Sequence, residues 1–176
     1  MLSDVVISQL PAEDLDRRIP DLAALLHACV HAGASVNFVL PFPLEEAEAF
    51  WRSKVLPAAR EGTRLVLIAE AGGRILGTAQ LSTDTPPNQP HRADVSKVLV
   101  HPEHRRRGIA RALMAAIDAY SVEMGRRLLT LDTRTGDAAE PLYRSLGFQV
   151  VGTIPGYSRA PQGDALEATT IMYKHL

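Results

Sequence analysis

The chain predicts one mixed α/β (α+β) domain built on a single central sheet, and three observations carry that prediction. Two apolar runs, Arg64 to Ala71 and Arg74 to Leu81, are joined by Gly72-Gly73, a pair that supplies the positive φ of a tight turn, so they form an antiparallel hairpin. From His91 onward the periodicity alternates in the order strand, helix, strand, helix, strand, strand. With 176 residues and 46% hydrophobic content, the chain is long enough for one packed core and too short for two ordinary domains. The expected domain fills residues 1–176, with a mostly antiparallel mixed sheet flanked by about four helices.

In chain order, Val5-Val6-Ile7 reads as a short strand, and Pro20 opens an amphipathic helix through Leu22, Leu25, Leu26, Cys29 and Val30 that Gly33 ends. A second helix follows Pro43, with Glu45, Glu46 and Glu48 near its positive end and Phe50, Trp51, Val55 and Leu56 as its apolar side. Pro57 should kink or shorten it. After the hairpin, Thr83 to Pro90 holds three prolines and an asparagine and must be a loop, and His91 to Val100 is a third long strand. Pro102 ends that strand and turns the chain toward the helix marked by Ile109, Leu113, Ala116, Ile117, Tyr120 and Met124, which Gly125 stops. Leu128 to Leu131 is a short strand fit for burial on both faces. Asp137 can cap a helix through Leu146, ended by Gly147, and Phe148 to Ile154 and Ala168 to Lys174 are the last strands.

A net charge of −1 gives no global attraction to nucleic acid or to a membrane surface. The single Cys29 excludes an internal disulfide framework, and Met1 to Asp4 lack the basic and apolar regions of a signal peptide. No apolar run is long enough to span a bilayer, so a cytoplasmic protein is expected.

Local charge is more informative. His104 to Met114 places Arg105, Arg106, Arg107 and Arg111 around Gly108, Ile109 and Ala110 at a helix start directly after a strand. In such a turn several backbone N–H groups converge without intrahelical partners, the helix dipole adds positive charge, and a glycine lets a phosphate approach. The stretch has no Gly-Lys-Ser/Thr ending of an NTPase loop and no second glycine of a dinucleotide fingerprint.

The pattern Arg-x-x-Gly-x-Ala from Arg105 to Ala110 resembles the pyrophosphate loop of the GNAT (Gcn5-related N-acetyltransferase) superfamily. Strand Asp94 to Val100, strand Leu128 to Asp132 and the run Ala139 to Phe148, with Tyr143 four residues before Gly147-Phe148, match successive elements of that family in the right order. Gly33 to Val36, His91 to Val95, Leu131-Asp132-Thr133 and Ile154 to Tyr157 with Pro161-Gln162-Gly163 resemble the tabtoxin-resistance acetyltransferases in particular. The resemblance implies acetyl-CoA as cosubstrate, no metal, and a small-molecule amine acceptor such as a toxin, an antibiotic or an amino-acid-like metabolite. It also implies a sheet splayed at the strand ending near Val100, where Leu99 and Val100 offer backbone groups to the pantetheine. Arg105 to Arg111 would hold the pyrophosphate, and the Tyr143 hydroxyl would face the coenzyme sulfur. An asparagine common seven residues before that tyrosine is Gly136 here, so one coenzyme contact is missing or falls to Asp137. Dimers are frequent in the superfamily, which leaves a homodimer open.

For the general base, strand alternation puts Arg92, Asp94 and Ser96 on one face and Ala93 and Val95 on the other. Asp94 is the first candidate, through a bridging water because many family members carry the longer glutamate there, and Asp132 is its partner or alternative. Two carboxylates facing one cleft attract a cationic amine, and desolvation with mutual repulsion raises one pKa toward that of a base. The plainer alternatives are that Asp94 pairs with Arg92 or Lys97 and that Asp132 caps the turn at Thr133. The plainer alternative for Tyr143 is a core residue beside Leu142 and Leu146. His27 and His31 share a helix face but lack the neighbours of a zinc site, His101 and His104 flank the loop, and Cys29 fits a small core position. Asn37, Phe38, Phe42 and Tyr157 are expected near the acceptor. A protein N-terminus or lysine as acceptor, and a non-catalytic acyl-CoA-binding module, stand as the other readings.

Overall fold

A computed structural model describes residues 4–176; Met1 to Ser3, on which the expectation of no signal peptide draws, lie outside the described residues. The elements are β1 (Val6–Gln9), α1 (Ala12–His31), α2 (Leu44–Phe50), a π-helical turn (Trp51–Val55), α3 (Leu56–Arg60), β2 (Arg64–Ala71), β3 (Arg74–Ser82) and β4 (Arg92–Val100). A 3₁₀ turn (Pro102–His104), α4 (Ile109–Glu123), β5 (Leu128–Arg134), α5 (Ala139–Ser145), β6 (Gln149–Arg159) and β7 (Leu166–His175) complete the chain. The seven strands form one sheet in the order β1-β2-β3-β4-β5-β7-β6, in which β4 and β5 are the parallel pair and every other neighbour is antiparallel.

Each face of the sheet has its own core. On one, Leu15, Ile19, Leu22 and Leu26 of α1 pack with Trp51 against Val66, Ile68 and Leu99. On the other, Ile109, Leu113 and Ile117 of α4 cover Leu67, Leu81, Val95 and Leu129. The approach of α4 is close at Gly77 of β3, where a Cβ would stand 2.9 Å from the Leu99 carbonyl oxygen and 3.1 Å from Ile109.

Several boundaries differ from expectation. Helix α1 begins at Ala12, and Pro20 lies inside it; Leu15 and Ile19, both fully buried, extend the apolar stripe across the proline, and their burial outweighs one lost hydrogen bond. The second helix is interrupted before Pro57, where Leu56 N–H bonds to Trp51 O in a widened turn that accommodates a residue with no N–H. Asp137 does not cap α5 but accepts from Ala138 N–H and Arg134 just before it. Strand β5 runs on to Arg134, so Asp132 stands within a strand rather than at its end. Only Leu129 and Leu131 of that strand are buried, because its other face opens on a cavity.

That cavity arises from two features of β4. Thr78 pairs with Leu99 and Gln80 with Ser96, so Ala79 alone opposes Lys97-Val98, and Lys97 takes φ 51° in this bulge. Pairing between β4 and β5 covers only Arg92 to Asp94 against Leu128 to Thr130, after which the strands part. The expected splay is present.

Candidate active site

The loop before α4 is built to receive an anion. Arg106 and Gly108 take φ 62° and 85°, a left-handed alternation that turns successive amides toward one side. No backbone N–H from Arg106 to Arg111 has a backbone acceptor among the described residues, and the first helical bond runs from Ala112 N–H to Gly108 O. Arg105, Arg106 and Arg111 line the adjoining cavity. Arg111 is fixed by a 2.8 Å bond to Ser145 Oγ. Arg107 instead turns to His104 Nδ1 at 2.9 Å, and desolvation, then Arg107, His101 and Arg74, hold that imidazole below its ordinary pKa.

From this loop a cavity of about 790 Å³ runs between the parted strands, bounded by β4 from Val95 to Val100, β5 from Leu131 to Arg134, the start of α5 and residues 32–36 after α1. His101 N–H bonds to Leu76 O, so antiparallel alternation commits Leu99 to β3 and turns the Val100 peptide toward the opening. There the Val100 carbonyl accepts from Cys29 Sγ at 3.4 Å and Arg105 Nε at 3.3 Å. Of the two expected backbone contacts, Val100 has the orientation for one, and Leu99 bounds the cavity without it.

Tyr143 also lines the cavity, with its ring edge-on to Phe148 at 5.8 Å and only 7% of its surface exposed. Burial, then the charges of Asp132 and Asp137, push its hydroxyl well above the ordinary phenol pKa, so it keeps its proton. Asp132 is exposed and accepts a 3.1 Å bond from Thr169 Oγ1.

Asp94 occupies a second, smaller cavity of about 280 Å³ with Thr130, Tyr157 and Ile171. The two cavities meet at Val95, Ser96, Leu131 and Asp132. Asp94 is ion-paired to Arg92 and accepts from Thr130 Oγ1, the plainer of the two readings of its sequence position. The carboxylates therefore flank the parting of β4 and β5, but Asp132 alone reaches both cavities.

Sequence reading missed Lys97. Its ammonium lies 5.9 Å from the centroid of Phe38 and 5.4 Å from that of Phe50, and the residue lines the larger cavity. Desolvation, then repulsion by Arg64, lower its pKa to about 8, against a smaller opposing pull from Asp132. A signal was available: Ala93, Val95 and Leu99 are buried, and a lysine at the intervening odd position breaks the alternation as a bulge does. Phe42, expected at the acceptor, is buried core with its ring tilted against Phe38 at 4.6 Å, whereas Asn37 is exposed and Tyr157 does border the smaller cavity. The His27 and His31 rings lie 4.0 Å apart, tilted by 31°, and His101, Glu103 and His104 bring their polar atoms within 4.8 Å of one another beside the arginines.

Residues 29–148 match the model of the acetyltransferase (GNAT) family. N-alpha-acetyltransferase RimI of Mycobacterium tuberculosis is 37% identical over 101 residues, covering 55% of this chain and 60% of that protein. Human N-acetyltransferase 8 is 33% identical over 87 residues, covering 48% of this chain and 38% of that protein. The chain thus spans between about a third and three fifths of the length of these curated relatives. The structure of yncA from Salmonella typhimurium, solved with its cofactor acetyl-CoA, superposes with a TM-score of 0.77 at 20% identity, covering 99% of this chain and 95% of that one. A family match of this extent, on a fold whose parted strands open beside an amide-rich loop, makes the chain a member of the GNAT acetyltransferase family.

Proposed function

We propose that this protein is an acetyl-CoA-dependent N-acetyltransferase whose acceptor is the amine of a small molecule. The observation that carries the reading is the continuity of the larger cavity from the unbonded amides at Arg106 to Arg111, past the Val100 peptide, to Tyr143 and Asp132. The amides and Arg105, Arg106 and Arg111 suit the pyrophosphate of the coenzyme, with Arg107 adding charge from behind His104. The Val100 N–H suits the pantetheine or the thioester carbonyl.

Acetyl transfer then needs a neutral amine, a new C–N bond, and a protonated thiol as the C–S bond breaks. Asp132 is the carboxylate open to both cavities, so we assign removal of the ammonium proton to it through a water, with Asp94 ordered by Arg92 as its neighbour. Tyr143, kept protonated by its surroundings, donates to the departing thiolate. The smaller cavity, bordered by Asp94, Asp132 and Tyr157, suits the acceptor. Leu40 N–H bonds to Pro161 O at 2.7 Å and ties the loop before α2 to the loop after β6. The sequence motifs that resemble tabtoxin-resistance acetyltransferases suit a small-molecule acceptor, and the single buried thiol and balanced charge suit a cytoplasmic setting.

A thermal-shift titration with acetyl-CoA, CoA and desulfo-CoA, on wild type and Gly108→Glu, tests the assignment. Coenzyme should raise the wild-type melting temperature, and the shift should vanish in a folded Gly108→Glu protein, whose side chain enters the loop at φ 85°. A well-folded wild type that saturating coenzyme does not stabilise would sink the proposal.

A further inference from the structure

The loop, Tyr143 and Asp132 account for the coenzyme and for proton removal, and leave Lys97 without a task. Outside the arginine loop, three of the charged residues that line the cavities are already paired: Asp94 with Arg92, and Arg134 and Asp137 with each other, Arg134 also reaching Glu167. Lys97 belongs to none of the ion pairs among the described residues, and neither does Asp132. Both line the larger cavity, near enough for a favourable Coulomb interaction but not in contact.

The surroundings of Lys97 hold donors in excess. Arg64 of β2 adds positive charge and bonds through Nη1 to Gln80 Oε1 at 2.8 Å. Gln80, paired in the sheet with Ser96, is fully buried, and its Nε2 and Arg64 Nε have no partner among the described residues. Phe38 and Phe50 shield the lysine from water without supplying an acceptor. A largely desolvated cation in no ion-pair contact, beside unpaired donors and open to a cavity, is suited to receive an anion.

We infer that Lys97 and Asp132 are the two poles of a zwitterion site, in which Lys97 holds an anionic group of the acceptor while Asp132 draws in its reacting amine. The acceptor class is an amine that bears a carboxylate or phosphonate a few bonds from its nitrogen. This rests on the transferase reading and narrows it. Lys97 is a specificity residue here, since the bond changes need no charge at that position.

The test compares standard L-amino acids and aminoalkylphosphonates with their carboxamides and neutral esters, assayed by coenzyme A release on wild type, Lys97→Met and Lys97→Arg. Wild type should prefer the anionic member of a pair by about tenfold or more in kcat/KM, the scale of one charge-assisted contact. Lys97→Met should lose that preference, chiefly through KM, and Lys97→Arg should keep most of it because its charge persists. Equal use of acid and carboxamide by wild type overturns the inference. So does Lys97→Arg falling as low as Lys97→Met, the result expected of a proton acceptor. Failure to acetylate any anionic amine while acetyl-CoA still raises the melting temperature overturns it too and leaves the transferase reading standing. Absence of that thermal shift removes the transferase reading and this inference together.

Discussion

The two ends of the larger cavity are made differently. At the end proposed for the coenzyme, consecutive residues Arg105 to Arg111 present backbone amides without backbone acceptors, and the arginines are solvent-exposed, so water screens their mutual repulsion. At the throat, Lys97, Asp132 and Tyr143 come from β4, β5 and α5, and Lys97 and Tyr143 are pushed away from their ordinary pKa values by burial. A loop that binds through local geometry is inexpensive in stability and written in one stretch of sequence. A throat made by diverging strands holds desolvated charge, and its members meet only in the fold.

The sharpest way to break this contrast is to neutralise the two carboxylates separately. Asp132→Asn should lower kcat/KM by about two to four orders of magnitude, the range for losing a general base. Asp94→Asn, on a carboxylate already engaged by Arg92 and Thr130, should cost less than about tenfold and show its loss in stability. Steady-state kinetics beside thermal melts read both, and the reverse ranking would return proton removal to Asp94.

Gly77→Ala probes how the ends are held in register. Its Cβ would meet the Leu99 backbone oxygen at 2.9 Å and Leu113 at 3.2 Å, so α4 or β4 must move. Overpacking of this kind costs about 1–3 kcal/mol. The displacement should also weaken acetyl-CoA binding, because α4 supplies the loop's amides and β4 the Val100 peptide. Chemical denaturation and coenzyme titration of the same protein measure the two effects. An alanine tolerated on both counts would mean that the ends are positioned independently.

What the sequence disclosed follows the same division. The hairpin at Gly72-Gly73, the loop at Gly108, the helix beginning at Ile109 and the Tyr143 to Phe148 run were legible because each depends on neighbours within a few residues. Family resemblance, rather than periodicity, supplied the splay near Val100. Pro20 hid the true start of α1 because the local rule against proline inside a helix competed with a buried stripe that only the assembled core explains. Ser96-Lys97 carried a trace of the bulge, but the partners that give Lys97 its character, Arg64, Phe38, Phe50 and Asp132, are scattered from residue 38 to residue 132. No window of sequence contains them.

The smallest effect tests the energetic side of the comparison. A folded lysine at about 8 against an ordinary 10.5 disfavours folding whenever the unfolded chain is protonated there, and each unit is worth about 1.4 kcal/mol. Lys97 is half-buried and its ammonium reaches the cavity, so solvent screening reduces the whole effect to about 1–2 kcal/mol. Lys97→Met, which keeps the length and packs against Phe38 and Phe50, should therefore stabilise the protein by that amount near pH 7. The sign with pH is fixed by the unfolded chain, which binds more protons than the native state between about pH 8 and 10.5. Wild-type stability gains on the variant as pH rises through that interval, and the advantage of Lys97→Met, complete below about pH 8, fades toward 10.5. Urea melts of both proteins from about pH 7 to 10 follow it. A variant less stable than wild type at neutral pH would show that the lysine helps to hold the throat together rather than being carried there at the expense of stability.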